Sequence, residues 1–389
     1  MTAAKHRFVI LGGGTAGWMA ACLIAHRLGA RAAVTLVESP EIGIIGVGEG
    51  STPQLKAFFD ELGIAEAEWM PRCNATYKNG IRFSGWSEAP GFESYFHPFQ
   101  TALDHHTAPA FFFRTRARRT GRDVYAHPDR FFLLSRLAAE RRGPIPADNF
   151  PFDIGYGYHF DSHLVGEFLR DHAVAKLGVT HLTRRIDGVR HHANGDIAAL
   201  LGEGDTAIEG DVFVDASGFR ATLVQQALGE PFESFAGNLF NDAAVAMPSA
   251  RDEGATTCET RSTALDAGWA WRIPLTNRTG NGYVYASRYL DADAAETELR
   301  RHLGLLDADV AARHLKMKVG QVRRSWVGNC LAVGLSQGFI EPLEATALHI
   351  VHSTVSGFVE AYEAGGFTRD HADAFNAAIH ARYEGIRDY

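Results

Sequence analysis

The tightest constraint on the fold is the turn Gly12-Gly13-Gly14-Thr15-Ala16-Gly17, which follows the short apolar run at 8–11. Helix formers at helical spacing follow over residues 16–28. A second apolar run at 33–37 then closes with Glu38-Ser39-Pro40. Strand, glycine turn, helix and strand make a βαβ unit, and the acid falls at the end of its second strand. Small residues let the backbone approach a pyrophosphate, while the helix N-terminus offers N–H donors and a positive dipole end. Glu38 is placed to accept hydrogen bonds from a ribose. Gly12, Gly14, Thr15, Ala16, Gly17 and Glu38 are therefore the first cofactor-binding candidates. The motif does not separate FAD from NAD.

The rest of the 389 residues fits a large α/β chain, 46% hydrophobic and 22% charged. A net charge of −8 gives a nucleic-acid partner no general electrostatic support. Cys22, Cys73, Cys258 and Cys330 form no Cys-x-x-Cys pair, which fits reduced thiols in a cytoplasm rather than a disulfide scaffold or zinc knuckle. The N-terminus has no signal-peptide pattern, and Gly12 to Gly14 interrupt the long apolar run, so no membrane anchor is expected.

Strand-then-glycine turns recur near residues 12, 218 and 334, which points to one nucleotide-binding sheet assembled from distant pieces. The expected division is a discontinuous cofactor domain of 1–85, 150–235 and 325–389. A smaller, mixed β-rich substrate-side region would take 86–149 and 236–324. A helix is expected at 163–177, a hairpin at 186–201 turning at Asn194-Gly195, and a long helix at about 343–364.

Several residues outside the glycine turn can carry chemistry. Trp269 and Trp271, in Gly268-Trp269-Ala270-Trp271-Arg272-Ile273-Pro274, share one face of an extended strand, which Pro274 stops or pins at an edge. Such a pair is either core packing or a wall. Lys78 lies between apolar neighbours Tyr77, Ile81 and Phe83; it is a surface charge or, in a tight pocket, a point donor whose pKa burial lowers. Glu341 and Glu344 flank the expected helix start, where acids offset the dipole. His349 and His352 are one helical turn apart with no third ligand in view, and no metal is expected. Arg114, Arg116, Arg118, Arg119 and Arg122 read as a solvated face.

The combination of Tyr77-Lys78, Trp269-x-Trp271-x-Ile273-Pro274 and Pro342-Leu343-Glu344 resembles the flavin-dependent tryptophan halogenase family, from the glycine turn to the helix after Glu344. The resemblance implies a glutathione-reductase-like FAD fold. In it, Asp215-Ala216-Ser217-Gly218 and Val333-Gly334-Leu335 are further cofactor turns, adding Ser217, Gly334 and Leu335 to the set. The loop 46–53, with Gly48, would lie between flavin and substrate sites. Lys78 would hold hypohalous acid by hydrogen bond or as a haloamine, and Glu344 would take the ring proton. Thr346 and Ala347 would bind the halide through backbone N–H groups, with Ala345 in place of the usual Ser. Trp269, Trp271, Ile273 and Pro274 would keep the organic substrate from the flavin, and His97 and Phe99 would bracket it.

The implied reaction uses FADH2 from a separate flavin reductase, O2 and chloride or bromide on an indole or other electron-rich arene. A homodimer is consistent with this. The alternatives are a flavin-dependent aromatic monooxygenase and a non-catalytic flavin-binding relative. Family enzymes usually carry a longer helical C-terminal part, so that part is expected to be short or missing here.

Overall fold

The computed structural model describes residues 5–40, 48–202, 206–254 and 256–389. The first apolar run becomes the strand His6–Leu11, inside a six-stranded sheet. Its spatial order is Trp326–Val327, Cys330–Ala332, Val212–Asp215, His6–Leu11, Ala32–Glu38, Thr180–Thr183. Neighbours are parallel except Trp326–Val327, which pairs antiparallel at one edge. Sheets of this kind are covered on both faces, so their strands read as continuous apolar runs. Phe8 and Ile10 accordingly enter one core, and Val9 and Leu11 enter another with Ile197, Leu200 and Phe213.

The helix Thr15–Leu28 is buried without a break from Trp18 to Ile24. It lies against the helices Ser162–Leu177 and Ala347–Ala364, and a helix covered on all sides needs no polar stripe. In the sheet, Leu11 is level with Asp215, and Asp215 with Ala332. The turns at Gly12, Ser217 and Gly334 therefore gather at the carboxyl edge of adjacent parallel strands, where open α/β sheets bind ligands.

A second sheet of seven strands runs Arg313–Lys316, Ala243–Ser249, Thr279–Tyr285, Gly268–Pro274, Glu259–Leu265, Gly80–Ser84, Ser94–Pro98. Only Glu259–Leu265 and Gly80–Ser84 pair in parallel. The double-tryptophan strand sits near its middle, so Pro274 stops that strand rather than marking a sheet edge. A small sheet of Glu49–Gly50, Gly157–Phe160 and Thr76–Lys78 feeds into it, because the last of these strands continues through Asn79 into Gly80–Ser84.

Two expectations need correction. The long helix begins at Ala347, not at 343, because Ala345 adopts a left-handed φ of 58° and interrupts any helix before it. The helical part after Glu344 is not clearly short, since Ala347–Ala364 is followed by a second helix, Ala372–Asp388. The hairpin turning at Asn194-Gly195 is present, within a separate three-stranded sheet. Among the described residues, no helix is long and apolar enough to cross a membrane.

Candidate active site

Lys78 is the last residue of its strand before the chain crosses from one sheet to the other. Asn79 N donates to Cys258 O at 2.7 Å, and Phe99 N donates to Asn79 O at 3.0 Å. A Cβ at Gly80 would overlap the His97 carbonyl oxygen, so the crossing needs glycine. The crossing carries Lys78 inward: it is fully buried, and among the described residues its Nζ has no hydrogen-bond partner. Burial pushes the ammonium down to about 7, against a smaller upward pull from Glu344. The Phe99 ring centroid lies 5.5 Å from Nζ, within range of a cation–π contact.

The segment before the long helix forms a tight turn, with Ala345 N donating to Pro342 O at 3.1 Å. Among the described residues no side chain caps the helix, so neither glutamate plays the capping role that acids often take there. Glu344 instead reaches His97, with Oε1 3.1 Å from Nδ1. Glu341 points elsewhere: it accepts from Asn241 at 2.6 Å, and burial raises its pKa. Lys78, Phe99, His97 and Glu344 thus come together, while Thr346 and Ala347 stand at the start of the following helix. Tyr389 also reaches this corner, where the charge of Glu344 raises its phenol.

Trp269 and Trp271 do form one apolar face, with ring centroids 6.2 Å apart. They pack with Ile273, Leu275, Val284 and, from the Glu344 turn, Leu343. A Cβ at Gly282 on the neighbouring strand would occupy the Trp271 ring, so that glycine makes room for the indole. The Gly48 end of the 46–53 loop approaches Ile273 and Leu275; residues 46 and 47 lie outside the described residues.

At the carboxyl edge of the six-stranded sheet the small residues interlock. A Cβ at Gly12 would strike Ala216 O, and one at Gly17 would strike Gly12 O. Gly334, with φ 62°, closely approaches Ala16, and Leu335 follows it in a short helical turn. Beside Gly14, by contrast, a Cβ would meet none of the described residues, and none of their side chains caps the helix that starts at Thr15. That leaves uncapped N–H groups facing an opening, which suits a pyrophosphate. Glu38 lies across Gly13, its Oε1 2.6 Å from His181 Nε2. Two of the candidate hydroxyls are already used within the protein. Thr15 donates to Ser162 O at 3.0 Å, and Ser217 donates to Asp215 at 2.6 Å. With their hydroxyls engaged, only the backbone of these two is left to face the opening. The cradle fits a dinucleotide.

Sequence reasoning missed a second layer. His159 is fully buried, between Thr76 and Thr260, with burial and then Lys78 holding its pKa well below the usual value. Glu49 sits on the strand residue before Gly50; burial raises its carboxyl to about 7. The glutamate at the end of the loop was a visible signal for Glu49; His159 and Thr260 come from distant segments and offered none. His349 and His352 remain outside this cluster, and His352 Nε2 lies 3.4 Å from Glu61.

The family model described as tryptophan halogenase matches residues 7–389. The 7-chloro-L-tryptophan 6-halogenase KtzR of Kutzneria sp. (strain 744) is 38% identical over 98% of this chain and 77% of its own length. The tryptophan 7-halogenase RebH of Lentzea aerocolonigenes is 36% identical over 98% and 75%. Among solved structures, the tryptophan 6-halogenase of Streptomyces toxytricini superposes with a TM-score of 0.87 at 36% identity, covering 98% of this chain and 78% of that one. The chain belongs to the tryptophan halogenase family.

Proposed function

We propose that the protein is an FADH2-dependent halogenase that places chlorine or bromine on an electron-rich arene of the indole or tryptophan type, with a separate flavin reductase as its source of reduced cofactor. The observation that carries this reading is Lys78: a buried ammonium with no hydrogen-bond partner among the described residues, pushed down to about 7, with Glu344 close enough to oppose that fall. A lone surface charge would show none of this.

Gly12, Gly14, Ala16, Gly17, Gly334 and Leu335, the backbone of Thr15 and Ser217, and Glu38 would hold FAD, with Gly48 at the end of the adjoining loop. Reduced FAD with O2 and halide supplies hypohalous acid when bound. Thr346 and Ala347 would hold the halide through backbone N–H groups. The face of Trp269 and Trp271, continued by Ile273 and Pro274, would exclude the organic substrate from the cofactor.

Lys78 donates a hydrogen bond to the hypohalous oxygen. As the ring carbon takes the halogen, that ammonium proton leaves with the departing hydroxide as water. Glu344 accepts the ring proton, and the Lys78 amine regains a proton by exchange through the water formed at its side before the next turnover. The balance is arene plus hypohalous acid to haloarene plus water. A lysine near 7 can give and regain a proton at neutral pH, where one at its ordinary 10.5 would hold it. His97 fixes Glu344 and, with Phe99, brackets the substrate.

The test supplies FAD, a flavin reductase, NADH, O2 and bromide over a panel of indoles and phenols, read by mass spectrometry. A bromine isotope doublet is expected, absent in Lys78→Ala while FAD still binds. Product retained in that variant, or oxygenated product independent of halide, overturns the reading.

A further inference from the structure

Three groups beneath Lys78 form a line in which the direction of every hydrogen bond can be deduced. Thr76 Oγ1 lies 2.7 Å from Pro274 O and 3.1 Å from His159 Nδ1. His159 Nε2 lies 2.9 Å from Thr260 Oγ1. A hydroxyl has one proton and a carbonyl can only accept. The Thr76 proton therefore goes to Pro274, and the proton between Thr76 and His159 belongs to Nδ1. The imidazole is buried and neutral, so Nε2 carries none and accepts. Thr260 must then donate to His159. Its remaining lone pairs can only accept.

Thr260 faces Lys78 across Gly50. A Cβ on that glycine would lie 3.0 Å from Lys78 Nζ and 3.4 Å from Thr260 Oγ1. The two atoms thus converge from strands of different sheets on one point, within the reach of two hydrogen bonds laid end to end, about 6 Å. Nζ has no acceptor among the described residues, Thr260 included, so the two do not bond directly. A donor and an acceptor-only hydroxyl at this spacing suit one bridging oxygen that accepts on one side and donates on the other.

We propose that Thr260 is a catalytic residue whose Oγ1 accepts the O–H hydrogen of the hypohalous acid while Lys78 donates to its oxygen, with His159 as the positioning residue that fixes the direction. Both hydrogen-bonding functions of the acid are then used, and the halogen is the end left free for the arene. A bare halide ion has no hydrogen to donate and cannot make this bridge. The proposal rests on the reading of Lys78 given above.

Two experiments test it. In ¹⁵N NMR of the histidine-labelled protein, with His159 assigned by its loss in His159→Gln, Nδ1 should be the protonated nitrogen. A proton on Nε2 overturns the proposal without any turnover. In the bromination assay, Thr260→Val should make product about tenfold more slowly, the cost of roughly one hydrogen bond. It should also release hypohalous acid that a scavenger in solution traps, with FAD binding unchanged as the check on folding. Thr260→Ser, which keeps the hydroxyl, should recover most of the rate. If wild type brominates and Thr260→Val matches it in rate and leakage, this proposal fails alone. If FAD-bound wild type makes no halogenated product across the panel, the underlying halogenase reading fails.

Discussion

Replacing Lys78 with methionine should stabilise the protein, and more so in acid than in base. Burial takes the ammonium from 10.5 to about 7. At 1.36 kcal/mol per pKa unit, that fall is about 5 kcal/mol of destabilisation wherever the native state must carry the charge. The sign follows from proton counts. Below about pH 7 both states are protonated and the full cost is present. Between about 7 and 10.5 the native state binds fewer protons than the unfolded chain, so wild-type stability rises with pH by about 1.4 kcal/mol per unit. Methionine keeps the unbranched stem and loses the charge, so it lacks this slope. Allowing for relaxation around the ion, the variant should be more stable by about 2–5 kcal/mol at about pH 6. The gap should shrink by about 2 kcal/mol between pH 7 and pH 9. Urea unfolding followed by tryptophan fluorescence, on both proteins at four pH values and one ionic strength, measures it, and subtraction removes the titrations they share. A gap that does not change with pH, or a variant less stable than wild type at pH 6, would refute the claim that this lysine is a buried charge held at a cost.

The same logic with opposite sign applies to Glu49, whose carboxyl burial raises from 4.5 to about 7. The native state then binds more protons than the unfolded chain between about 4.5 and 7, so wild type should lose up to about 3 kcal/mol relative to Glu49→Gln as pH rises through that window, read by the same unfolding series. Gly282→Ala puts a Cβ into the Trp271 ring. It should cost about 1–3 kcal/mol and lower the thermal midpoint in calorimetry, and an unchanged midpoint would show that the indole can move aside freely.

What the sequence disclosed was whatever depends on local pattern. The glycine turn, the apolar runs on either side of it and Glu38 lie within a few dozen residues, so strand, helix and strand could be read directly. The shared face of Trp269 and Trp271 follows from the two-residue period of a strand. The burial of Lys78 could not be read, because a lysine among apolar neighbours looks the same on an exposed strand. Its depth comes from the sheet crossing at Asn79 and Gly80, which Cys258 and Phe99 complete. The helix start was misplaced because nothing in Glu344-Ala345-Thr346 announces that Ala345 takes a left-handed conformation. Thr76, His159, Thr260 and Pro274 form one hydrogen-bonded line drawn from four distant segments, and no spacing rule joins them.

The pairing of three strands shows how the proposed oxidant site and proton acceptor could keep a constant separation. Thr260 is level with Ile81, and Ile81 with His97. Residues level with one another on adjacent strands project to the same side, so the three side chains form a row across the sheet. At about 4.8 Å per strand, the Thr260 and His97 positions stand roughly 10 Å apart, with the buried Ile81 between them. Thr260 answers to Lys78 at one end, and His97 holds Glu344 at the other. Glu344 belongs to a turn and would wander if left to itself, but its partner is a strand residue, so the turn inherits the spacing of the sheet. The proposed chemistry requires the halogen donor and the proton acceptor to meet the same ring carbon from fixed directions. Backbone pairing supplies that geometry without either group touching the other.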